Sequence, residues 1–312
     1  MKQAHYVAFT KRYRQLMPGY NYADPCSLNS DSEVQDAIRQ SVFNYFEGQL
    51  GWEREKCEAR VEKEINRDIP KSLFENQEER WEWDLSESRV LDVGAGQGGG
   101  VLEALLRGAD AYGVEPGQEF AELSRLRLRK EGFDSERIRK TGGESLSFPE
   151  SSFDYVISLQ VLEHVENPRP ILSEIYRVLK PGGEAHIRCE NYLAFREQHY
   201  RVPWLPLLPK QIGSLYLSAI GKNPSFLKKY VFYSTYPQII KIVNEIGFEN
   251  LTIKSKKKKL WNEREIERKS AKSAVYIVNK LPQKAAKKVI EGMLHLSNVF
   301  TTGIRLNLRK PR

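Results

Sequence analysis

Residues 90–100 of the chain read Val90-Leu91-Asp92-Val93-Gly94-Ala95-Gly96-Gln97-Gly98-Gly99-Gly100. The apolar start predicts a strand, and the glycines after it predict a sharp turn, because glycine adopts backbone conformations that other residues avoid. A helix is expected from about residue 98 to residue 107. The first N–H groups of a helix are free to donate and carry a partial positive charge. The segment therefore predicts a site where the backbone approaches a ligand closely.

The glycine spacing fits two kinds of nucleotide site. Gly94, Gly96 and Gly99 give the GxGxxG spacing of dinucleotide sites, whereas a GxGxG spacing with Gly98 is typical of methyltransferases. Glu115 ends the next strand, in Tyr112-Gly113-Val114-Glu115-Pro116, and would accept hydrogen bonds from ribose hydroxyls in either case. The turn alone leaves both cofactors open.

Short apolar runs alternate with amphipathic stretches over residues 89–190. Strands are expected at 89–93, 111–114, 138, 155–159 and 184–188, and helices at 98–107, 118–131 and 170–179. Strands that alternate with helices predict a parallel sheet covered on both faces. The prediction is therefore an α/β fold for this part of the chain.

The rest of the chain differs from residues 89–190 in composition and in the pattern of its apolar residues, which predicts four regions. They are a helical N-terminal extension over 1–88, a cofactor-binding core over 89–190, a lid or substrate insertion over 191–236, and a C-terminal completion of the sheet over 237–312. In the first region, helices are expected at about 32–48 and 52–65, the second ended by Asp68-Ile69-Pro70. In the last, the pattern predicts a helix at 237–246, a strand at 251–254, a helix at 283–299 and a strand at 304–308.

Further segments follow the glycine turn in a fixed order. They are Gly113-Val114-Glu115-Pro116, Leu146-Ser147-Phe148-Pro149, Ser152-Phe153-Asp154-Tyr155-Val156-Ile157-Ser158, Val161-Leu162-Glu163-His164-Val165 and Arg177-Val178-Leu179-Lys180-Pro181-Gly182-Gly183. In kind, order and spacing this set resembles the class I S-adenosylmethionine-dependent methyltransferases, especially the ubiquinone-biosynthesis O-methyltransferases. The resemblance covers about a third of the chain. It implies a Rossmann-like, seven-stranded, mostly parallel sheet and S-adenosyl-L-methionine as cofactor.

The resemblance also implies which residues bind the cofactor. Asp92 would attract the ammonium of its methionine part, Glu115 would bind the ribose, and Gln160 would lie at the boundary between cofactor and acceptor. The turn would contribute Gly94, Ala95, Gly96 and Gly98. Relatives carry an acidic residue for the adenine amino group where this chain has Gly142-Gly143. Backbone contact from Gly143, a carboxylate from Glu144, or a water molecule is expected instead.

The segment Gln160-Val161-Leu162-Glu163-His164 departs from the relatives at one position. In the ubiquinone O-methyltransferases, an E-x-x-E-H pattern at this place is associated with a metal, but here the first carboxylate is an amide. Hard divalent cations prefer carboxylate oxygens, so no metal is expected. His164 is the candidate catalytic base, because imidazole titrates near neutral pH. The alternative is that His164 only packs beside the sheet.

The insertion follows the fifth strand directly, which places it over the carboxyl edge of the sheet, where ligands bind. Polar and aromatic side chains there are the candidate acceptor-binding residues: Arg196, His199, Tyr200, Arg201 and Trp204. They would suit a small-molecule acceptor or one linked to a glycan or lipid, including an anionic one. The alternative is a packing cover that only completes the core.

Composition narrows the partners. The formal net charge is +8 and the hydrophobic fraction 40%, as expected for a globular protein with a basic surface. Nucleic acid ranks below anionic small molecules and membrane surfaces, because no recognition motif accompanies the lysine run at 256–259. Three widely spaced cysteines predict neither a disulfide framework nor a zinc motif. The N-terminus has no signal-peptide pattern, and no apolar run approaches the ~18 residues of a membrane span.

The chain is therefore expected to be cytoplasmic, or peripheral to a membrane. The sequence predicts an enzyme that transfers a methyl group, at oxygen, from S-adenosylmethionine. Two rivals stay open: an NAD-dependent oxidoreductase, and a non-catalytic partner protein that keeps the fold. An oxidoreductase would not explain the segment Leu179-Lys180-Pro181-Gly182-Gly183. A non-catalytic partner protein is expected to have lost residues of the glycine turn, but the turn is intact. The sequence does not fix the oligomeric state.

Overall fold

A computed structural model describes residues 31–252 and 299–312 of the chain. Within these ranges the α-helices are α1 (Asp31–Val42), α2 (Arg54–Asn66), α3 (Asp68–Trp81), α4 (Gly99–Leu106), α5 (Gln118–Lys130), α6 (Arg169–Val178), α7 (Lys210–Ala219), α8 (Ser225–Tyr230) and α9 (Tyr236–Ile246), and Ser135–Arg137 and Leu162–His164 are 3₁₀ helices. A π-helix, Phe43–Gln49, continues α1.

The strands within the same ranges are β1 (Arg89–Val93), β2 (Asp110–Val114), β3 (Ile138–Arg139), β4 (Phe153–Leu159), β5 (Leu179–Glu190), β6 (Arg196–Glu197), β7 (Val202–Pro203), β8 (Glu249–Asn250) and β9 (Gly303–Arg309). Seven of them form one sheet in the order β3-β2-β1-β4-β5-β9-β8, while β6 and β7 form a separate pair. The first five strands of this order are mutually parallel, and β9 runs antiparallel to β5 and β8. The predicted seven-stranded, mostly parallel α/β sheet is confirmed.

Two buried layers enclose the sheet. On one side, residues of β4 and β5 pack with α6, α9 and β9; on the other, residues of β1 and β2 pack with α3, α4 and α5. A third cluster joins the insertion to the segment after α1, with Leu50, Tyr200 and Trp204 buried together. The sequence order reverses where β1 lies between β2 and β4, so a crevice is expected at the carboxyl ends of these strands.

The helix predicted at 52–65 ends just before Asp68-Ile69-Pro70, as expected, but the sequence did not predict that a new helix begins there. α2 ends at Asn66, Arg67 after it has a left-handed backbone (φ 58°), and α3 begins at Asp68 and runs through Pro70. Proline is tolerated in the first turn of a helix, because its missing N–H would have had no partner within the helix there. α3 then buries Phe74 against α4, which makes it part of the core.

The strand predicted at 251–254 is also misplaced. The strand lies at Glu249–Asn250, and Leu251 and Thr252 are helical. Residues 253 and 254, the lysine run at 256–259 and all but the last residue of the helix predicted at 283–299 lie outside the described residues. The strand predicted at 304–308 is confirmed as β9. The four predicted region boundaries stay predictions.

Candidate active site

The glycine turn lies between the ends of β1 and β2. The N–H groups of Gly94 and Ala95 both donate to the carbonyl oxygen of Val114, at 2.9 and 3.0 Å. Gly94 has φ 82°, and a Cβ atom there would lie 2.3 Å from a methyl carbon of Val161. The left-handed conformation and this close approach exclude any other residue at that position. The turn is therefore pressed against the segment that follows β4.

Two buried carboxyl groups flank the turn. Asp92 is 6% exposed and Glu115 is 5% exposed. Burial, and then the charge of Glu115, raises the pKa of Asp92 to about 7. Burial also raises the pKa of Glu115 to about 7, against two backbone hydrogen bonds that lower it. Each group gains free energy from a cationic or hydrogen-bond-donating ligand, because burial has removed the water that would stabilise its charge.

Glu115 links the turn to the end of β2. Its two carboxylate oxygens accept from the N–H groups of Gly96, at 2.9 Å, and Gly117, at 2.8 Å. These bonds fix the side chain beside the turn rather than in solvent. Glu115 is thus not an exposed turn acid, and its position suits the predicted ribose contact.

The segment predicted to meet adenine is partly buried. Gly142 and Gly143 are buried, and a Cβ on Gly143 would lie 2.8 Å from a methyl carbon of Val93. Glu144 is exposed. Backbone contact at Gly143 therefore fits the packing better than a carboxylate contact from Glu144, and both assignments stay predictions.

Gln160 lies at the carboxyl edge beside β5. It has a left-handed backbone (φ 59°), and its N–H donates to Arg188 O at 2.7 Å. Its side-chain amide donates to Glu190 Oε1 at 2.5 Å, while the amide oxygen is buried without a hydrogen-bond partner. Sequence reasoning missed Glu190, although it ends β5 at the same edge of the sheet as Gln160.

Glu163, His164 and His199 meet at this edge. One potential ligand atom of each lies within 4.8 Å of the other two, and the two imidazole ring centres are 5.4 Å apart. Glu163 is fully buried, and burial raises its pKa to about 8. Burial, and then His199, lowers the pKa of His164 to about 4. Within the part of the chain that the structure describes, these three side chains are the group of histidine and carboxylate residues whose atoms lie close enough together to hold a metal ion.

A further carboxylate, which sequence reasoning missed, holds His199. Glu197 is 1% exposed and its Oε1 lies 2.8 Å from His199 Nδ1, while its Oε2 accepts from Tyr200 N–H at 2.6 Å. Burial alone would lower the pKa of His199, but the charge and hydrogen bond of Glu197 outweigh it and raise the pKa to about 9. One residue separates Glu197 from His199, and the tight turn between β6 and β7 brings their side chains together.

The other acceptor-binding candidates divide into two groups. Tyr200 and Trp204 are buried in the core of the insertion, and the Tyr200 hydroxyl donates to Asn223 O at 2.7 Å. Arg196 and Arg201 are exposed, and the Arg201 guanidinium lies 4.9 Å from the Trp52 ring centre. The packing alternative accounts for Tyr200 and Trp204, whereas acceptor binding by the arginines stays a prediction.

Residues 91–187 match a family of sequences described as a methyltransferase domain. This part of the chain is similar to the class I S-adenosylmethionine-dependent methyltransferase domains, and the remaining residues lie outside the match. The match includes Asp92, Glu115, Glu163 and His164, and it ends before the insertion.

Curated relatives of the methyltransferase domain agree with that family. The ubiquinone biosynthesis O-methyltransferase of Pseudomonas entomophila (strain L48) is 39% identical over 111 residues, which are 34% of this chain and 46% of the relative. The Aeromonas salmonicida (strain A449) enzyme of the same name is 32% identical over 105 residues, 33% of this chain and 43% of the relative. The chain thus spans less than half the length of these relatives.

A solved structure is similar over a longer span but more distantly. It is a Haemonchus contortus phosphoethanolamine N-methyltransferase 2 in complex with S-adenosyl-L-methionine, 19% identical, with a TM-score of 0.49 over 96% of this chain and 60% of that one. That likeness is too distant to bear on the acceptor. In the described ranges, 31–252 and 299–312, no helix combines the length and apolar character needed to cross a membrane.

Proposed function

We propose that the chain transfers the methyl group of S-adenosylmethionine to a hydroxyl oxygen of an acceptor bound between the methyltransferase domain and the insertion over 191–236. The observation that carries the proposal is the pair of buried carboxyl groups, Asp92 and Glu115, on either side of the glycine turn. One would pair with the cofactor's ammonium and the other with its ribose. The sulfonium of the cofactor is already activated, so the protein's main task is to align the acceptor oxygen with the methyl carbon.

The geometry of the turn supports this function over the two rivals. A partner protein that had lost the cofactor would have no use for two costly buried carboxyl groups beside an intact turn. An NAD-dependent oxidoreductase would not account for the family match over 91–187. Oxygen rather than nitrogen as the methylated atom follows the names of the curated relatives, both O-methyltransferases.

The charged side chains at the carboxyl edge of the sheet affect which charge the acceptor can carry. Glu163, Glu190 and Glu197 are all buried there, and they lie close enough to His199 to raise its pKa. A further anion brought among these three carboxylates would be repelled in a region that water does not screen. We therefore favour a neutral hydroxyl compound, including a sugar or a lipid-linked one, over an anionic acceptor.

The surface of the insertion supports the lipid-linked variant of the proposal. It exposes a run of apolar side chains that includes Leu205 (63%), Ile212 (53%) and Leu215 (71%), with Lys228 and Lys229 also exposed. Exposed apolar groups beside lysines are typical of surfaces that meet anionic membranes. Sedimentation with phosphatidylglycerol vesicles tests this contact, and a Leu215→Ser variant that sediments as well as the unaltered chain refutes it.

The activity is tested by incubating the chain with methyl-labelled S-adenosylmethionine and, separately, aqueous and lipid extracts of its source. We expect a labelled methyl ether in one extract, with S-adenosylhomocysteine released in equal amount. The matched control is Glu115→Gln, which keeps the size of the side chain and loses its charge. Label on nitrogen would overturn the choice of oxygen, and no release from either extract would overturn the proposed activity.

A further inference from the structure

One face of β5 and β9 carries a row of polar pairs that lie opposite each other across the two strands. Glu184 lies opposite Arg309, and the two side chains form an ion pair at 2.5 Å. His186 lies opposite Asn307, and its Nδ1 is 2.5 Å from the Asn307 amide oxygen. In both pairs the two side chains attract each other, which is the arrangement that stabilises a sheet.

The next pair along this face is Arg188 and Arg305, because side chains alternate between the two faces of a strand. Like charges at such positions destabilise a sheet, since their Cβ atoms lie only about 5 Å apart. Within residues 31–252 and 299–312, neither guanidinium has a hydrogen bond or an ion pair. The Arg188–Arg305 pair thus lacks the negative group that Arg309 has in Glu184.

A third arginine approaches the pair from α2. Arg60 forms an ion pair with Glu64 through one terminal nitrogen, while its Nε is buried without a hydrogen-bond partner. A buried donor without a partner has lost its hydrogen bonds to water and has gained none from the protein. A donor of Arg60 is therefore available to a ligand, in addition to the guanidinium groups of Arg188 and Arg305.

The pKa values of neighbouring groups indicate that water screens these charges only in part. Burial lowers the pKa of Arg188, and the charges of Arg305 and Arg60 lower it further, although two nearby carboxylates oppose them. Burial also lowers the pKa of His186, to about 4, and the charges of Arg188 and Arg305 both contribute to that shift. An anion between the guanidinium groups would replace their repulsion with attraction.

We propose that Arg188, Arg305 and Arg60 bind the phosphate group of a phosphorylated ligand. A guanidinium stays charged in proteins and presents a planar fork of N–H donors that matches phosphate oxygens. A phosphate accepts at several oxygens and so bridges more than one guanidinium, whereas a single fork is enough for a carboxylate. Glu190, the next side chain of β5 on this face, lies about 7 Å further along the strand, and Gln160 already donates to it.

Two kinds of ligand carry this group, a water-soluble phosphate monoester and a lipid with a phosphate in its headgroup. The test titrates the full chain in a calorimeter with glycerol 3-phosphate and, separately, with dihexanoyl phosphatidylglycerol. We expect saturable binding of at least one of them at one site per chain, and no heat with glycerol. Binding of the monoester alone assigns the site to a soluble compound, and binding of the lipid alone assigns it to a headgroup. The proposal does not rest on methyl transfer, because the titrations contain no S-adenosylmethionine.

Two variants and a matched control show whether the arginines hold the probe. Arg188→Gln and Arg305→Gln should each weaken binding about 10- to 150-fold, since each removes a hydrogen bond between charged groups. Arg309→Gln removes the same charge from the same face of β9, about 13 Å from Arg305, and should bind the probe as the unaltered chain does. Arg305 is exposed, so its replacement leaves the buried core intact.

Unfolding temperature gives an independent measurement on the same samples. Without a probe, Arg305→Gln should raise the midpoint by about 1–3 °C, because it removes the repulsion across the strands. At about ten times its Kd, the probe should raise the midpoint of the unaltered chain by about 3–6 °C and that of Arg305→Gln by less than about 2 °C.

Three results would each overturn the proposal. The first is no saturable binding of either phosphate probe below about 10 mM. The second is equal affinity of Arg305→Gln and Arg309→Gln for the probe that binds. The third is a lower midpoint of Arg305→Gln than of the unaltered chain without a probe, which would mean that Arg305 already has a partner in the protein.

Discussion

A single methyl group added at Gly96 should separate ligand binding from folding. Gly96 has φ 53°, and a Cβ atom built there meets nothing within 4 Å. Its N–H donates to Glu115 Oε2, so the open space lies beside the proposed ribose contact. A side chain at this position would therefore occupy room that the protein itself does not use.

The cost of Gly96→Ala to folding follows from the backbone alone. A left-handed conformation costs an L-residue about 1–2 kcal/mol, and the loss of glycine's freedom in the unfolded chain returns about 0.4–1 kcal/mol. The net loss of about 1 kcal/mol corresponds to a fall of about 2–4 °C in the unfolding midpoint. No clash adds to it, because no neighbouring atom lies within reach.

The cost to cofactor binding should be larger. A methyl group forced into a close contact costs about 1–3 kcal/mol. That range corresponds to a loss of about 5- to 150-fold in affinity for S-adenosylmethionine. Calorimetric titration measures the affinity, and thermal unfolding by circular dichroism measures the stability.

The chain offers a matched control in Gly132→Ala. Gly132 also has a left-handed backbone (φ 79°) and open space around its Cβ position, but it lies beyond the C-terminal end of α5, about 12 Å along the helix from Ser124, whose hydroxyl contacts the turn at Gly96. It should lose the same stability and none of the affinity. Equal affinity of Gly96→Ala and Gly132→Ala for S-adenosylmethionine would show that the space beside Gly96 is not used by the cofactor.

Three further outcomes are expected. Asp92 and Glu115 both have pKa values near 7 without ligand, so affinity for the cationic cofactor should fall by about tenfold per pH unit as the pH drops below 7. Calorimetric titration at pH 6 and pH 8 measures this difference, and equal affinities at the two pH values would contradict it. Phe74→Ala should cost about 3–5 kcal/mol of unfolding free energy in urea, because Phe74 is fully buried against α4; a loss under about 1 kcal/mol would mean that α3 is not part of the core. Burial lowers the pKa of His186 to about 4, so the unfolded chain takes up a proton at a higher pH than the folded chain does. The free energy of unfolding is therefore unaffected above about pH 6.5, and it falls by up to about 3 kcal/mol as the pH decreases to 4. His186→Gln should reduce that pH dependence, and an unchanged slope would contradict the assignment.

The fold was predictable where its signals are local. The strand 155–159 was recognised from consecutive apolar residues, and the end of α9 was recognised from Gly247, which has φ 105°. The end of α2 was predicted, but the start of α3 was missed, because Pro70 can either end a helix or lie in its first turn. Only the packing of Phe74 in the core shows which applies.

The candidate cofactor-binding residues could also be predicted from the sequence, because Asp92, Gly96 and Glu115 lie at strand ends or in the turn between them. The cluster of Glu163, His164 and His199 could not be predicted. Its members Glu163 and His199 are separated by the whole of α6 and β5, and they meet because the insertion packs on the segment after α1. The Trp52 indole donates to His199 O at 2.7 Å, and Leu50 is buried in the insertion's core. Contacts of that range leave no periodic pattern in the sequence.

S-adenosylmethionine is proposed to bind at the glycine turn, between Asp92 and Glu115. Calorimetric titration of the unaltered chain with S-adenosylmethionine, S-adenosylhomocysteine and NAD⁺ tests it directly. We expect one binding site for each of the first two ligands, with an affinity that Asp92→Asn weakens, and no measurable heat with NAD⁺. Binding of NAD⁺ alone, or affinity for S-adenosylmethionine that Asp92→Asn leaves unchanged, would contradict it.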